Sequence, residues 1–412
     1  MSRLIKKLSN DDIDSYVDIY INAYPGAITP TFSKERKVEE WVKANNKPEI
    51  NFYGCFQDEI LVGGVILLDF QMNLFSDKII NVGGVSEVCV DLLRKKEHIA
   101  KDLMLFSHQY FYKKGFCLTS LYPFSPAFYR KMGYGIGQKM SQYRFEPKAL
   151  PKTSKHNVSY LSLSDSTVVL ELFNRYASGT HGAILRSKDI FEPMLKSGKM
   201  LGYWKNKSLH GYLYFRFKKV KGGTWLQHDI EIMELIYETP EALRGLLTFL
   251  ATQQDQVEKI IYNTYDDSFQ HLLLEPRSSR NIFYIFQESN IQGVGMMYRI
   301  IDTSLFFRLL KDHNFGHQSM RLQISINDSF HPENNGSIVV QFTEGKPIVL
   351  KKGESEAEIV INIDHFSSLV MGAISFKKLY EYELVEISNP DYLETVNALF
   401  LTESPPITFE NF

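Results

Sequence analysis

Apolar residues in the first third of the chain come in short runs broken by polar turns. Residues 4–8 read as a strand, and Asn10-Asp11-Asp12 opens a helix through Tyr16, Ile19 and Tyr20. Two apolar runs, 52–56 and 60–70, flank Gln57-Asp58-Glu59 and predict a hairpin. Residues 79–90 form a further strand. A helix follows, with Ile99, Leu103, Phe106 and Tyr110 at helical spacing, and it stops at Lys113-Lys114-Gly115. Another strand spans 116–122. Ser125-Pro126 then reads as an N-cap followed by proline in the first turn, opening a short helix that ends near Gly133. Strands, helix, strand, short helix and strand in this order predict a V-shaped α/β sheet.

Residues 149–300 repeat the plan. Runs at 201–204 and 209–217 surround Lys205-Asn206-Lys207, residues 230–237 form a strand, and Thr239-Pro240-Glu241 opens a helix through Leu246, Leu247 and Leu250. A strand at 260–264 follows. The order and spacing match the first segment although the residues differ, as in a diverged internal duplication. The remainder, 301–412, predicts an amphipathic helix over 302–314, strands at 322–326, 337–342, 348–350 and 358–363, and a helix at 366–371. Ser404-Pro405-Pro406 ends regular structure, so residues 407–412 are expected to run extended.

The chain has 412 residues, enough for two to four domains of ordinary size. Its 46 basic and 48 acidic residues give a net charge of −2, which argues against broad binding to nucleic acid or anionic membrane. Cys55, Cys89 and Cys117 are odd in number and far apart, so neither a disulfide framework nor a paired-cysteine metal site is expected. Buried thiols in a reducing cytosol are the expectation. The N-terminal stretch turns polar early, and no 18-residue apolar run occurs, so neither a signal peptide nor a membrane anchor is expected. The 29 Phe and 23 Tyr suit an apolar core and a cavity for organic ligands. His313 and His317 are spaced as helical metal ligands are, but Asn314 and Gly316 oppose that helix; no metal site is expected.

The stretch with most chemistry is Val88-Cys89-Val90-Asp91-Leu92-Leu93-Arg94-Lys95-Lys96-Glu97-His98-Ile99-Ala100. A strand ends, a basic turn follows and a helix starts. Outward N–H groups at a helix start, beside Arg94, Lys95 and Lys96, suit a pyrophosphate; a plain solvated turn has the same composition. The matching place in the second segment, Tyr237 to Ala242, has Glu238 and Glu241 and no basic residue, so a structural role is expected there.

Lys95-Lys96-Glu97-His98-Ile99-Ala100 resembles the acetyl-CoA loop of the GNAT N-acetyltransferases, Arg/Gln-x-x-Gly-x-Gly/Ala, with His98 standing at the glycine. The run Leu121 to Gly135, with Tyr129, Gly133 and Tyr134, resembles the segment that carries that family's catalytic tyrosine. Over its whole length the chain is similar to the Eis (enhanced intracellular survival) family: an α/β (α+β) fold of two tandem GNAT-like domains and a sterol-carrier-protein-like α+β domain. The expected limits are 1–148, 149–300 and 301–412.

The resemblance implies an acetyl-CoA-dependent N-acetyltransferase. Val88 and Val90 would pair with the pantetheine. The backbone of Lys95, Lys96, His98, Ile99 and Ala100 would hold the pyrophosphate, and Ser125 would touch the cofactor. Tyr129 would protonate the leaving thiolate, and the α-carboxylate of Phe412 would take the amine's proton. Glu410 would draw a cationic substrate. The implied acceptors are amines of aminoglycoside- or polyamine-like molecules, with protein or peptide lysine as an alternative. A third possibility is a lipid-binding carrier with a vestigial transferase. Homo-oligomers, commonly hexamers, are implied as well, with no metal, nucleic acid or membrane partner.

Overall fold

Two hairpins form where polar turns separate apolar runs. Asp58 and Glu59, and later Asn206 and Lys207, each turn the chain through two successive positive φ values, 50° and 66°, then 52° and 65°. Two-residue loops of this kind match the right-handed twist of the strands they join. The computed structural model describes residues 3–27, 33–76, 78–278, 285–351, 353–410 and 412. They divide into two compact units. One holds 1–137, 296–406 and 410–412; the other holds 138–295 and 407–409.

In the first unit, β1 (Arg3–Lys7), β2 (Ile50–Gln57), β3 (Ile60–Leu74) and β4 (Lys78–Val90) form an antiparallel run. Next come β5 (Leu118–Leu121), the strand Met297–Ile300 and β6 (Gly135–Ile136). Side chains alternate across the sheet. Phe52, Phe56 and Ile66 meet Ile13, Tyr16 and Trp41 from helices α1 (Ile13–Ala23) and α2 (Lys34–Asn45). Val65, Leu67 and Val85 meet Leu103, Met104 and Phe111 of α3 (Ile99–Lys113). The hydropathy pattern omits α2, because one buried residue, Trp41, anchors an otherwise charged helix; Ser33 caps it by accepting from the Arg36 N–H.

The same unit contains a five-stranded sheet in the order Lys346–Leu350, Gly336–Thr343, Met320–Asn327, Ala357–Asn362 and Val385–Ile387. Helix Ile363–Val370 joins it to the first sheet. Ser367 Oγ accepts from the Ile300 N–H at 3.0 Å, and Ser368 Oγ donates to the Ile136 carbonyl at 2.9 Å. The helix expected over 302–314 is shorter, Thr303–Leu309. Beyond it, the Phe315 N–H bonds the Gly345 carbonyl at 2.9 Å and His313 stacks on Phe75, so tertiary partners replace the last turn.

The second unit carries a seven-stranded sheet among the described residues. Its order is Asn290–Val294, Lys139–Phe145, Val257–Thr264, His228–Tyr237, Ser208–Lys219, Lys199–Lys205 and Val158–Tyr160. Helix Pro240–Ala251 is capped by Thr239, whose Oγ1 accepts from the Ala242 N–H at 3.2 Å. Beneath the sheet, Arg186 forks onto Glu234 at 2.9 and 2.5 Å, and Tyr212 donates to the same carboxylate at 2.7 Å. In this unit the Ile407 N–H bonds the His181 carbonyl, and the Phe409 ring packs against Phe173 and Tyr176.

Candidate active site

β4 and β5 diverge. Among the described residues they pair at Gly83 opposite Thr119 and Gly84 opposite Ser120, and no farther. Residues 85–90 therefore present a strand edge toward the gap. Just here β4 carries one extra residue against β3, between Ser86 and Cys89, and Glu87 takes φ 50°. A bulge of this kind bends a strand and re-aims its side chains. Val88 is buried, and Val90 is half-buried. The Val88 carbonyl accepts a hydrogen bond from the Tyr24 hydroxyl at 2.7 Å, and the Glu87 carbonyl accepts one from Tyr16 at 2.8 Å.

From Val90 the chain enters the basic turn. Lys96 has φ 72° and His98 φ 66°, so the backbone is left-handed at both. His98 is the N-cap of α3 and caps with no side-chain bond; it is exposed, with its imidazole in solvent. A glycine is the natural occupant of such a backbone; among other residues, histidine is one of those that tolerate it better. Lys95 and Lys96 are exposed around it, and the first-turn N–H groups of Ile99 and Ala100 have no intrahelical acceptor. Glu97 does not stand alone: Arg3 and Arg94 each lie 3.8 Å from its carboxylate. Arg3, which the sequence pattern does not mark, also donates to the Glu97 carbonyl at 2.6 Å and to Asp102 at 2.6 Å. It ties the edge strand β1 to the end of the turn and to the first turn of α3.

Helix α4 (Pro126–Arg130) follows β5, and its Tyr129 packs in the same core cluster as Val88. Ser125 occupies its N-cap position, but through the backbone: its carbonyl accepts from Phe128 and Tyr129, and its hydroxyl makes no capping bond. Tyr129 is buried, with its ring edge-on to Phe124, Phe128 and Tyr134. Burial pushes its phenol well above the usual tyrosine range, and Tyr24 and Tyr134 add to the shift. It therefore stays protonated at neutral pH. Tyr134 is held in turn by Thr119 and His108, each at 3.2 Å.

Arg299 supports α4 from below. It donates to the Met132 carbonyl at 2.6 Å and forks onto Asp328. Gly133, with φ 81°, leaves the space its guanidinium fills. Phe412 belongs to the same unit; its ring packs on Phe70 at 4.8 Å and Tyr122 at 6.0 Å. Glu410 is half-buried. Unmarked by the sequence pattern is the group of Tyr20, Tyr24, Lys37, Trp41 and Glu87. Tyr16 and Tyr20, four apart on α1, with Tyr24 at its C-cap, were the available signal.

At the corresponding junction of the second unit, Arg175 pairs with Glu238 at 2.9 Å on the surface. The three cysteines are free and buried. Among the described residues no group of three or more His, Cys, Asp or Glu could hold a metal, and no helix is long and apolar enough to cross a membrane.

Comparison with known proteins places this geometry. Residues 4–137 match an acetyltransferase (GNAT) domain family, residues 182–300 match another acetyltransferase (GNAT) domain family, and residues 307–408 match a sterol carrier protein domain. Among curated proteins none matches. Solved structures share the fold along the whole chain. A GCN5-related N-acetyltransferase from Anabaena variabilis is 18% identical, with TM-score 0.83 and 100% of both chains covered. A probable N-acyltransferase from Enterococcus faecalis is 19% identical, with TM-score 0.79 and the same coverage. Eis1 from Mycobacterium abscessus is 17% identical, with TM-score 0.77, again over 100% of each chain.

The diverging sheet and the matched domains define an acetyltransferase of the GNAT type. Along the chain a sterol carrier protein domain follows two GNAT domains, and the whole chain shares its fold with Eis1 from Mycobacterium abscessus.

Proposed function

We propose that this chain transfers an acetyl group from acetyl-CoA to the amine of a cationic small molecule, aminoglycoside- or polyamine-like. The observation that carries the reading is the divergence of β4 from β5, with a left-handed basic turn after β4 and a buried tyrosine in the same core cluster as Val88. The strand edge at Val88 and Val90, which no strand pairs beyond Gly84, suits an extended amide chain. Lys95, Lys96 and the N–H groups at His98, Ile99 and Ala100 suit a pyrophosphate. In this reading Ser125 touches the cofactor. One acetyl-CoA binds per chain, in the first unit, since the corresponding junction of the second carries Glu238 and Glu241.

In this reading the amine attacks the thioester carbonyl directly, the C–S bond breaks, and no acyl-enzyme forms. Tyr129 gives its proton to the thiolate; a phenol placed beside the leaving sulfur suits that task. The carboxylate at Phe412 takes the proton that the ammonium must lose before attack. A free α-carboxyl is a weak base, and partial burial strengthens it. Glu410 adds negative charge for a cationic acceptor. Homo-oligomers in the cytoplasm are part of the same proposal, by likeness to the family.

The test is release of CoA thiol from acetyl-CoA across a panel of polyamines, aminoglycosides and lysine peptides, with acetyl-CoA binding measured alongside. Release with lysine peptides alone would move the acceptor to protein. No binding and no release would overturn the reading.

A further inference from the structure

A line of buried polar side chains leads from Tyr129 toward solvent within the first unit. Tyr129 is 4% exposed and meets the Tyr134 ring edge-on, with centroids 5.9 Å apart. The Tyr134 hydroxyl lies 3.2 Å from His108 Nε2 of α3 and accepts from Thr119 Oγ1 at 3.2 Å. The His108 and His331 rings stand 6.1 Å apart, centre to centre. His331 follows strand Met320–Asn327 and is held there by its own N–H, which donates to Asp328 at 2.9 Å. Its Nδ1 lies 3.2 Å from the carboxylate of Glu333, whose side chain is 42% exposed.

Three ring nitrogens on this line are orphans. His108 Nδ1 and both nitrogens of His331 are buried and make no hydrogen bond among the described residues. Glu333 is near enough to His331 Nδ1 but too poorly aligned for one. Buried polar atoms are rarely left so, and an ordered water is a common partner. At 6.1 Å the two rings are too far apart for a direct N–H···N bond and near enough for one water to join them. Tyr112 lies edge-on to His331 at 5.3 Å and Phe330 to His108 at 5.4 Å, so apolar rings would pack here without desolvating three polar atoms. Burial holds both imidazoles below the usual range, and Arg299 adds to the shift; at His331, Glu333 and Asp328 oppose it. Both rings therefore rest neutral at neutral pH. A neutral imidazole takes a proton on one nitrogen as it releases one from the other.

We propose that this line is a proton relay that reloads Tyr129 after each turnover. It rests on the reading of Tyr129 as the acid that gives its proton to CoA. That transfer leaves a phenolate walled in by Phe124, Phe128 and Tyr134, where its charge is poorly solvated. Tyr134 gives the phenolate its hydroxyl proton and takes one from His108 Nε2. His108 Nδ1 takes one from the bridging water, the water takes one from His331 Nε2, and His331 Nδ1 takes one from Glu333, which solvent reprotonates. Only O–H and N–H bonds change. One proton enters at Glu333 and one arrives at Tyr129, replacing the one that CoA carries away.

Rapid-mixing measurement of CoA thiol release tests this, using the full chain, acetyl-CoA and whichever amine of the polyamine, aminoglycoside and lysine-peptide panel turns over fastest. His331→Phe fills the space without ring nitrogens. The first equivalent of CoA should appear at the wild-type rate, because Tyr129 starts protonated. Later turnovers should slow about 10²-fold, the lower end of what a positioned proton donor contributes. In His331→Ala, added imidazole should restore the later turnovers; pyrrole, a ring of the same size with no basic nitrogen, should not. If neither histidine variant folds, Glu333→Gln at the surface should show the same split. Equal slowing of first and later turnovers would make His331 structural and overturn the relay. Later turnovers at the wild-type rate, or rescue by pyrrole, overturn it as well. A wild type that releases no CoA with any amine removes the transferase reading, and normal turnover by Tyr129→Phe removes the acid; the relay falls with either. An active, Tyr129-dependent wild type whose variants show no split removes the relay alone.

Discussion

Arg299 and Asp328 meet in an ion pair sealed from solvent, with both carboxylate oxygens within 2.9 Å of one guanidinium nitrogen. Arg299 stands on the strand inserted between β5 and β6, and Asp328 follows strand Met320–Asn327 of the five-stranded sheet. The same guanidinium holds the chain just after α4, the helix that carries Tyr129. Asp328→Asn leaves the arginine charge buried and half-answered. The expected cost is about 3–5 kcal/mol of stability, the usual penalty for breaking a buried pair. Denaturant unfolding checks it; a loss under about 1 kcal/mol would show that the pair is dispensable.

His98 invites the opposite change. His98→Gly removes a side chain from a backbone with φ 66°, where a left-handed conformation costs an L-residue about 1–2 kcal/mol. Acetyl-CoA affinity should be kept or improved and stability should not fall. A weaker dissociation constant by calorimetry would show that the imidazole itself contacts the cofactor.

Tyr129→Phe deletes one hydroxyl and keeps the ring among Phe124, Phe128 and Tyr134. Binding of acetyl-CoA should persist while turnover drops about 10²–10⁴-fold, the range of general acid catalysis. Wild-type turnover under conditions where chemistry limits the rate would assign the acid elsewhere.

The proton acceptor proposed at Phe412 makes turnover depend on where the chain stops. Deleting Phe412 moves the carboxylate by about 3.3–3.6 Å along an extended chain, and a misplacement of about 1 Å already costs about 10²-fold. A peptide extension converts that carboxylate to an amide. Both should silence a chain that is active when it ends at Phe412, with acetyl-CoA affinity unchanged. Phe412→Ala should be milder, losing the contacts with Phe70 and Tyr122 but keeping the carboxylate. Full activity of the extended chain would make the tail structural.

Stability should fall as pH drops below about 6.5. Burial holds the His108 imidazole well below its usual range, and Arg299 and His331 push it the same way. The unfolded chain takes up a proton there that the folded one refuses, so the contribution is present above about pH 6.5 and is lost in acid. The slope from this residue approaches about 1.4 kcal/mol per pH unit. His108→Gln keeps a partner for Tyr134 and should flatten the decline in unfolding free energy between pH 7.5 and 5.5. An identical decline in both proteins would place the acid sensitivity elsewhere.

What the sequence determined by itself is local. The turns at 57–59 and 205–207, the cap at Thr239 and the strand–turn–helix junction from Val88 to Ala100 are set by residues within a few positions of one another, and each is legible from spacing. So was the likeness of residues 121–135 to a catalytic-tyrosine segment. The candidate site was legible where it is a stretch of chain, at Val88, Val90, 95–100, Ser125 and Tyr129.

Pairing across long separations was decided only by tertiary structure. Lys139–Phe145, which the pattern places before the boundary near 148, pairs with Val257–Thr264 and Asn290–Val294. Met297–Ile300 enters the first sheet between β5 and β6. Apolar alternation shows that a strand exists, but many strands offer a compatible edge. The nook of Lys37 and Glu87 was hidden for a related reason. Its lysine stands on a charged helix, its carboxylate lies on a bulge 50 positions along, and nothing local to either residue announces the other. Folding brings the two charges together beside the Tyr20 and Trp41 rings.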